Sequence, residues 1–163
     1  DVGAWEDPRL NVLFEDGIAF VKNSIAEYDV IIIDGSDPVG PAEGLFEKEF
    51  FELCFTALKK DGVLTGQTES PWVEEYHSSI KQVFDALESV FDESSMYLGF
   101  IPLYPAGMWS FAFASKGNQP EETEIFESIE KGLSEFGNDL KYYNKEVHKG
   151  SFALPNFVAE IIR

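Results

Sequence analysis

The sequence predicts a doubly wound α/β domain whose sheet is mostly parallel with an antiparallel edge. Strand-like and helix-like segments alternate over residues 11–91, as they do when right-handed helical crossovers join parallel strands. The run YDVIIID at residues 28–34 is dominated by β-branched residues and shows no alternation. This is typical of a strand buried on both faces of a parallel sheet. Two later apolar runs lie close enough along the chain to pair as an antiparallel hairpin.

The first elements are a short strand, a helix and the buried strand. Residues 11–14 form an apolar run that predicts a strand and is followed by the turn-forming pair Asp16–Gly17. Apolar residues then recur at helical spacing up to Ile25. After the strand at 28–34, the Gly- and Pro-rich residues 35–44 predict a loop.

The later elements continue the alternation. Lys59–Gly62 supplies cations followed by a glycine, a helix stop, and Ser70–Pro71 has the residue types of a helix start. The predicted order is a helix over 46–58, a strand over 63–66, a helix over 73–90, strands over 96–102 and 109–115, and an acidic helix over 121–133. A length of 163 residues fits one domain with a real core.

The charge balance restricts the class of partner. Twelve Lys and Arg face 30 Asp and Glu, so the net charge is −18. This argues against a nucleic-acid binder and against an anionic membrane surface. It is compatible with a cationic substrate or with an acidic soluble surface. No apolar run approaches the roughly 18 residues that span a bilayer, and we expect a cytoplasmic protein.

The single cysteine, Cys54, excludes an intrachain disulfide and a Cys-cluster metal site. It falls in the apolar pattern of the helix at 46–58. We therefore expect a core residue and not a nucleophile.

Polar residues follow three consecutive predicted strands at one edge of the sheet. Asp16 and Gly17 follow the first strand, Asp34 ends the second, and Gln67 and Glu69 end the third. Ligands of open α/β sheets bind beyond the carboxyl ends of the strands. For Asp16, a simple turn before a helix explains the residue equally well.

The pair Asp34 and Asp37 lies in a loop stiffened by prolines. Paired carboxylates suit a metal ion, a proton transfer or a polyamine. No histidine lies nearby in the sequence, which disfavours a transition metal but leaves Mg²⁺ open. Tyr104 lies in a stiff turn, where spacing alone supports a structural and a functional role equally. We expect Trp109 to be a core or rim aromatic.

At these residues the chain closely resembles the polyamine aminopropyltransferases, and spermidine synthases in particular. The most specific block is the long loop that begins at Asp34. The segments that carry the resemblance are EDG at 15–17, YDVIIIDGSDPVGPAEGLF at 28–46, GQTE at 66–69, IPLYPAG at 101–107, YYN at 142–144 and FALP at 152–155.

The resemblance implies a Rossmann-like S-adenosylmethionine-dependent transferase fold and an aminopropyl transfer from decarboxylated S-adenosylmethionine to an amine. It also implies a role for each matching residue: Asp34 as proton acceptor, Asp37, Gln67 and Tyr104 as amine-binding residues, and Asp16, Gly17, Pro41, Ala42 and Leu45 as nucleotide-binding residues. No metal and no cofactor is expected, because the sulfonium is already an activated leaving group and the nucleotide is a co-substrate. Putrescine is the default acceptor, with cadaverine, agmatine and spermidine as alternatives. The family pattern also implies a homodimeric or homotetrameric parent.

The family pattern implies further parts that this sequence does not show. These are an N-terminal β domain, a glycine-rich nucleotide loop and an acidic ribose-binding residue. We therefore expect residues 1–163 to be the C-terminal portion of one catalytic domain, truncated at the N-terminal side and inactive alone. Two absent strands would lie between the strands at 11–14 and 29–34, leaving unpaired edges. Two alternatives to an aminopropyltransferase remain. They are another S-adenosylmethionine-dependent methyltransferase and a non-catalytic nucleotide-binding or assembly module.

Overall fold

A computed structural model describes residues 3–35, 44–104, 106–117, 127–129, 131, 132, 134 and 140–163. From Gly17 to Phe100, helices and strands alternate as the sequence predicts. In chain order the elements are α1 (Gly17–Val21), β1 (Tyr28–Ile33), α2 (Lys48–Ala57), β2 (Leu58–Gln67), α3 (His77–Glu88), β3 (Glu93–Phe100), β4 (Met108–Ser115), α4 (Lys145–Ser151) and α5 (Asn156–Ile161). Among the described helices, none is both long and apolar enough to cross a membrane.

The strands form one mixed sheet in the order β1-β2-β4-β3. β1 and β2 are parallel, whereas β4 runs antiparallel to both β2 and β3. Three of the four strands in the described residues therefore share one direction, and the β4–β3 pair forms the antiparallel edge. The predicted α/β fold with a mostly parallel, mixed sheet is confirmed.

The core lies between the sheet and the α2–α3 layer. Leu64 of β2, Cys54 of α2 and Phe84 of α3 are almost completely buried in one apolar cluster, together with Val158 of α5. Burial raises the pKa of the Cys54 thiol to about 12, so the thiolate that could act as a nucleophile is suppressed. The prediction that Cys54 is a core residue is confirmed.

Two predictions about the first strands are wrong within the described residues. Residues 11–14 form no strand and are exposed, because no described strand lies beside them to share hydrogen bonds. β1 is also not buried on both faces, because Val30 and Ile32 are exposed. The continuous apolar run predicts that both faces of β1 are covered. Within the described residues, no segment covers Val30 and Ile32.

The α2–β2 boundary also differs from the prediction. β2 begins at Leu58, directly after α2, and Gly62 lies inside the strand. Tyr28 pairs with Leu58 but Val30 pairs with Val63, so β2 accommodates extra residues in a bulge. Cations followed by a glycine resemble a helix stop, but here they belong to a bulged strand.

Candidate active site

The carboxyl ends of β1 and β2 lie side by side and place two predicted site residues at one rim. Ile33 pairs with Gly66, so Asp34 and Gln67 are the next residues of the two strands. The side-chain amide nitrogen of Gln67 donates a hydrogen bond to the Gly35 carbonyl. Gln67 thereby holds the backbone immediately after Asp34, and its amide oxygen is the group that can accept a hydrogen bond from a ligand.

Gly66 permits this close approach of the strands. A Cβ atom at Gly66 would lie 3.1 Å from the Ile33 Cβ and 3.3 Å from the Ile33 carbonyl oxygen. A larger residue would push β1 and β2 apart at the point where Asp34 and Gln67 leave the sheet.

A groove of about 380 Å³ opens beside this rim. Three of the predicted site residues, Gly17, Asp34 and Leu45, line it together with Gly35. The rest of the lining is apolar and comes from α1, β1 and α2: Phe20, Val21, Tyr28, Val30, Ile31, Ile32, Ile33 and Phe50. An apolar groove with one carboxylate at its end can hold a flat, largely apolar ligand and orient a cationic group.

Asp16 has a clear structural role at the same end of the molecule. Its carboxylate accepts a hydrogen bond of 2.9 Å from the Ala19 backbone N–H and caps α1. This is the helix-start role that the Asp–Gly pair suggests. The cap also fixes the position of Gly17, which lines the groove.

Tyr104 lies in a tight turn and packs on Trp109. The Gly107 N–H donates to the Tyr104 carbonyl at 3.0 Å, and Gly107 has a φ of 70°, which favours glycine. The ring centroids of Tyr104 and Trp109 are 4.6 Å apart. The turn therefore holds Tyr104 through its backbone and its ring, while its side chain remains 44% exposed.

Trp109 is 8% exposed, which confirms the prediction of a core or rim aromatic. Phe111 pairs with Gln67, and Trp109, two residues earlier on β4, points to the same face of the sheet. Its side chain is buried, and its indole N–H finds no hydrogen-bond partner within the part of the chain that the structure describes. Trp109 lies two residues before Phe111, the strand partner of Gln67. This spacing places Trp109 on the face of Gln67 only once the register of the two strands is known.

Buried hydroxyls connect the end of β2 to β4 just beyond Gln67. The Thr68 and Ser110 hydroxyl oxygens are 2.6 Å apart, and the Ser110 hydroxyl donates to the Glu69 carbonyl at 2.6 Å. Thr68 also donates to the Ser110 carbonyl at 2.9 Å. These bonds fix the chain directly after Gln67 and directly after Trp109.

We expect Ser110→Ala to lower the free energy of unfolding by about 0.5–1.5 kcal/mol, because the hydroxyl bond to the Glu69 carbonyl is lost while that carbonyl keeps the Ser110 N–H and Thr68 keeps the Ser110 carbonyl. Urea denaturation of the chain measures this. Ser78→Ala is the matched control, since Ser78 is exposed on α3. Equal unfolding midpoints for the two variants would show that the hydroxyl network contributes nothing.

The remaining predicted residues, Asp37, Pro41 and Ala42, lie outside the described residues. In the part of the chain that is described, no group of three His, Cys, Asp or Glu side chains is arranged to hold a metal ion.

Comparison with known proteins gives the family. The model of the spermine/spermidine synthase domain matches residues 2–142. The chain belongs to the spermine/spermidine synthase family. Among curated family members, the polyamine aminopropyltransferase of Caldicellulosiruptor bescii is 48% identical over 160 residues, which is 98% of this chain and 54% of that protein. The enzyme of the same name from Clostridium perfringens is 46% identical over 157 residues, or 96% and 54% of the two chains.

Solved structures of the family share this fold. A spermidine synthase in complex with the transition state analogue AdoDATO has a TM-score of 0.85 at 42% identity, covering 97% of this chain and 52% of that one. The spermidine synthase from Thermotoga maritima has a TM-score of 0.81 at 40% identity, covering 97% and 50%. The chain thus spans about half the length of the family members that it matches.

Proposed function

We propose that this chain is part of an enzyme that transfers the aminopropyl group of decarboxylated S-adenosylmethionine to putrescine. The products are spermidine and 5′-methylthioadenosine. The observation that carries the proposal is the rim, where Asp34 ends the apolar groove and Gln67 holds the backbone beside it. The similarity to polyamine aminopropyltransferases and to a spermidine synthase with a bound transition state analogue supports it.

The reaction is a single displacement. The lone pair of a neutral amine attacks the carbon next to the sulfonium sulfur, and the carbon–sulfur bond breaks with its electron pair going to sulfur. The bound ammonium group gives one proton to Asp34 as its lone pair attacks, and the product nitrogen is left as a protonated secondary amine. A primary amine is mostly protonated near neutral pH, so the carboxylate also attracts and orients the cation before it loses a proton.

The other predicted residues divide between the two substrates. Gly17 and Leu45 line the groove with Asp34, and we assign the groove to the nucleoside. The same nucleotide-binding role is proposed for Asp16, Pro41 and Ala42. Gln67, Tyr104 and Asp37 bind the amine. No metal ion or cofactor takes part in this scheme, because the positive sulfur is already a good leaving group.

The test uses a full-length protein, called here the joined enzyme. It links residues 1–163 to the part of the C. bescii relative outside the match, which the family resemblance puts ahead of residue 1. The joined enzyme receives decarboxylated S-adenosylmethionine with an isotope-labelled aminopropyl group, together with putrescine, cadaverine, agmatine and spermidine, and labelled products are identified by mass. Predominant spermidine supports the proposal. A different aminopropylated amine changes the acceptor, and no transfer by folded protein contradicts the reaction.

Gln67→Ala should raise the KM for the amine about tenfold or more while changing kcat less. The variant loses both the bond to Gly35 and the amide oxygen offered to the amine, and a charge-assisted hydrogen bond contributes about 1.5–3 kcal/mol. Steady-state kinetics of the joined enzyme measure this. Gln82→Ala, at an exposed position of α3, is the matched control. An unchanged amine KM in Gln67→Ala would remove Gln67 from the amine site.

A further inference from the structure

Three buried hydroxyls lie next to the proposed amine-binding residues. Thr68, Ser70 and Ser110 are 6%, 0% and 0% exposed. Each hydroxyl donates to a backbone carbonyl: Thr68 to that of Ser110 at 2.9 Å, Ser70 to that of Met108 at 2.9 Å, and Ser110 to that of Glu69 at 2.6 Å. These bonds join residues 68–70, directly after β2, to residues 108–110 of β4. We call the three hydroxyls the rim strap.

The rim strap lies where the regular pairing of β2 and β4 ends. The last pair of that ladder is Gln67 with Phe111. One step further, the Thr68 N–H donates to the Ser110 carbonyl at 3.0 Å, but the Ser110 N–H donates to the Glu69 carbonyl at 3.1 Å. In a regular antiparallel ladder, Thr68 and Ser110 would exchange both bonds. Two residues therefore face one, as in a β-bulge, an irregularity that often re-aims side chains beside active sites.

On the β2 side, the rim strap continues to the end of β1. Gln67 directly precedes Thr68, and its side-chain amide nitrogen donates to the Gly35 carbonyl. Gly35 in turn directly follows Asp34. Side-chain hydrogen bonds thus connect three neighbouring segments, which are the end of β1, the end of β2 and the start of β4. Because these bonds form one network, a movement of residues 68–70 would also move Gln67 relative to Asp34.

On the β4 side, the rim strap supports Tyr104. Trp109 lies between Met108 and Ser110, the two β4 residues that the strap bonds reach. The Trp109 ring packs on the Tyr104 ring, with 4.6 Å between the ring centroids. The Met108 N–H also donates at 2.8 Å to the Ala106 carbonyl, in the turn that carries Tyr104. The strap therefore fixes both the residue on which the Tyr104 ring packs and the end of its turn.

We propose that the rim strap positions Gln67 and Tyr104 relative to each other, so that both bind one amine. The inference rests on the proposed function, because it assigns the strap to the amine site of that reaction. Gln67 and Tyr104 come from different segments, and beyond the pair of Gln67 with Phe111 the strap supplies side-chain bonds between those segments. A site whose residues are already held in place avoids the cost of ordering them when the ligand binds.

Thr68→Val in the joined enzyme tests this positioning role. Valine keeps the shape of threonine and removes the hydroxyl that reaches Ser110. We expect the KM for the amine to rise about three- to tenfold, which corresponds to the loss of one hydrogen bond. The kcat should change much less, because the strap does not touch the reacting atoms. The Kd of 5′-methylthioadenosine, measured by calorimetry, should stay the same, because Gly17 and Leu45 of the groove belong to other segments.

Thr56→Val is the matched control. The Thr56 hydroxyl also donates to a backbone carbonyl, that of Glu52 at 2.9 Å, but it is exposed on α2. Its loss should leave the KM for the amine unchanged. Thr68→Ser keeps the strap hydroxyl and removes only a methyl group, so its KM should stay close to that of the unmodified protein. A KM as high in Thr68→Ser as in Thr68→Val would attribute the effect to packing and overturn the proposal.

A double variant shows whether the effect passes through Gln67. In Gln67→Ala no amide is left to position, so adding Thr68→Val should raise the KM for the amine much less than it does in the unmodified protein. A strap that only stabilised the sheet would lower the free energy of unfolding in both backgrounds and leave the KM unchanged in both. Equal rises in KM in the two backgrounds would contradict positioning through Gln67.

Urea denaturation confirms that each variant is folded under the assay conditions. If Thr68→Val does not fold, Ser70→Ala takes its place. Its control is Ser89→Ala, because the exposed Ser89 hydroxyl donates to the Ala86 carbonyl at 2.7 Å at the end of α3. An unchanged amine KM in the folded strap variant overturns this inference and leaves the proposed function in place. No transfer by the folded, unmodified joined enzyme contradicts the proposed function, and this inference falls with it.

Discussion

Asp34→Asn in the joined enzyme should lower kcat by about 10²–10⁴-fold, the usual contribution of a positioned proton acceptor. Asparagine keeps the shape of the side chain and can still hydrogen-bond an amine, but it cannot accept the proton that the attacking nitrogen must lose. Asp34 ends the groove that we assign to the nucleoside, yet the adenosine part needs no carboxylate there. Binding of 5′-methylthioadenosine, measured by calorimetry, should therefore change little.

Asp29→Asn is a matched control for this prediction. Asp29 lies on the same strand, is exposed, and forms a 2.7 Å ion pair with Lys59 at the end of β1 away from the rim. An exposed ion pair of this kind contributes little to stability, so kcat should stay near that of the unmodified protein. Equal turnover by Asp34→Asn and Asp29→Asn would remove Asp34 from the mechanism.

The sheet could be predicted because its signals are local. The β-branched run before Asp34, the amphipathic pattern around Cys54 and the short link between the two late strands each specify an element within a few residues. Residues 11–14 show the limit of this approach. Their composition is that of a strand, but a strand exists only where a neighbour completes its hydrogen bonds, and no described strand lies beside them.

The candidate site, too, could be predicted only in part. Asp34 could be placed at this edge because it ends a predicted strand. Gly17 was placed there behind a strand at 11–14 that does not form, and Leu45 came from the family resemblance. The structure brings all three to one groove. Trp109 could be predicted as a buried aromatic, but not its position on the same face of the sheet as Gln67, because that position depends on the register that pairs Phe111 with Gln67. A register between distant segments is set by packing across the sheet, and one sequence carries no local signal for it.

Phe84→Ala should lower the free energy of unfolding by about 3–5 kcal/mol, the usual cost of removing a fully buried phenylalanine. Phe84 is 1% exposed and packs in the cluster between α3, the sheet and α5. Phe14→Ala is the matched control, since Phe14 is 96% exposed and its loss should change stability by less than about 0.5 kcal/mol. Urea denaturation of the isolated chain measures both variants.

The comparison between the isolated chain and the joined enzyme carries the stronger test. Folded domains are stable by only about 5–15 kcal/mol, so the loss from Phe84→Ala is a large share of the stability of the isolated chain. Val30 and Ile32 are 50% and 73% exposed, and the added part of the joined enzyme offers further protein for such side chains to pack against. The urea midpoint of the isolated Phe84→Ala chain should therefore lie below that of the joined enzyme with the same substitution. Equal midpoints would show that the added part contributes nothing to the stability of this chain.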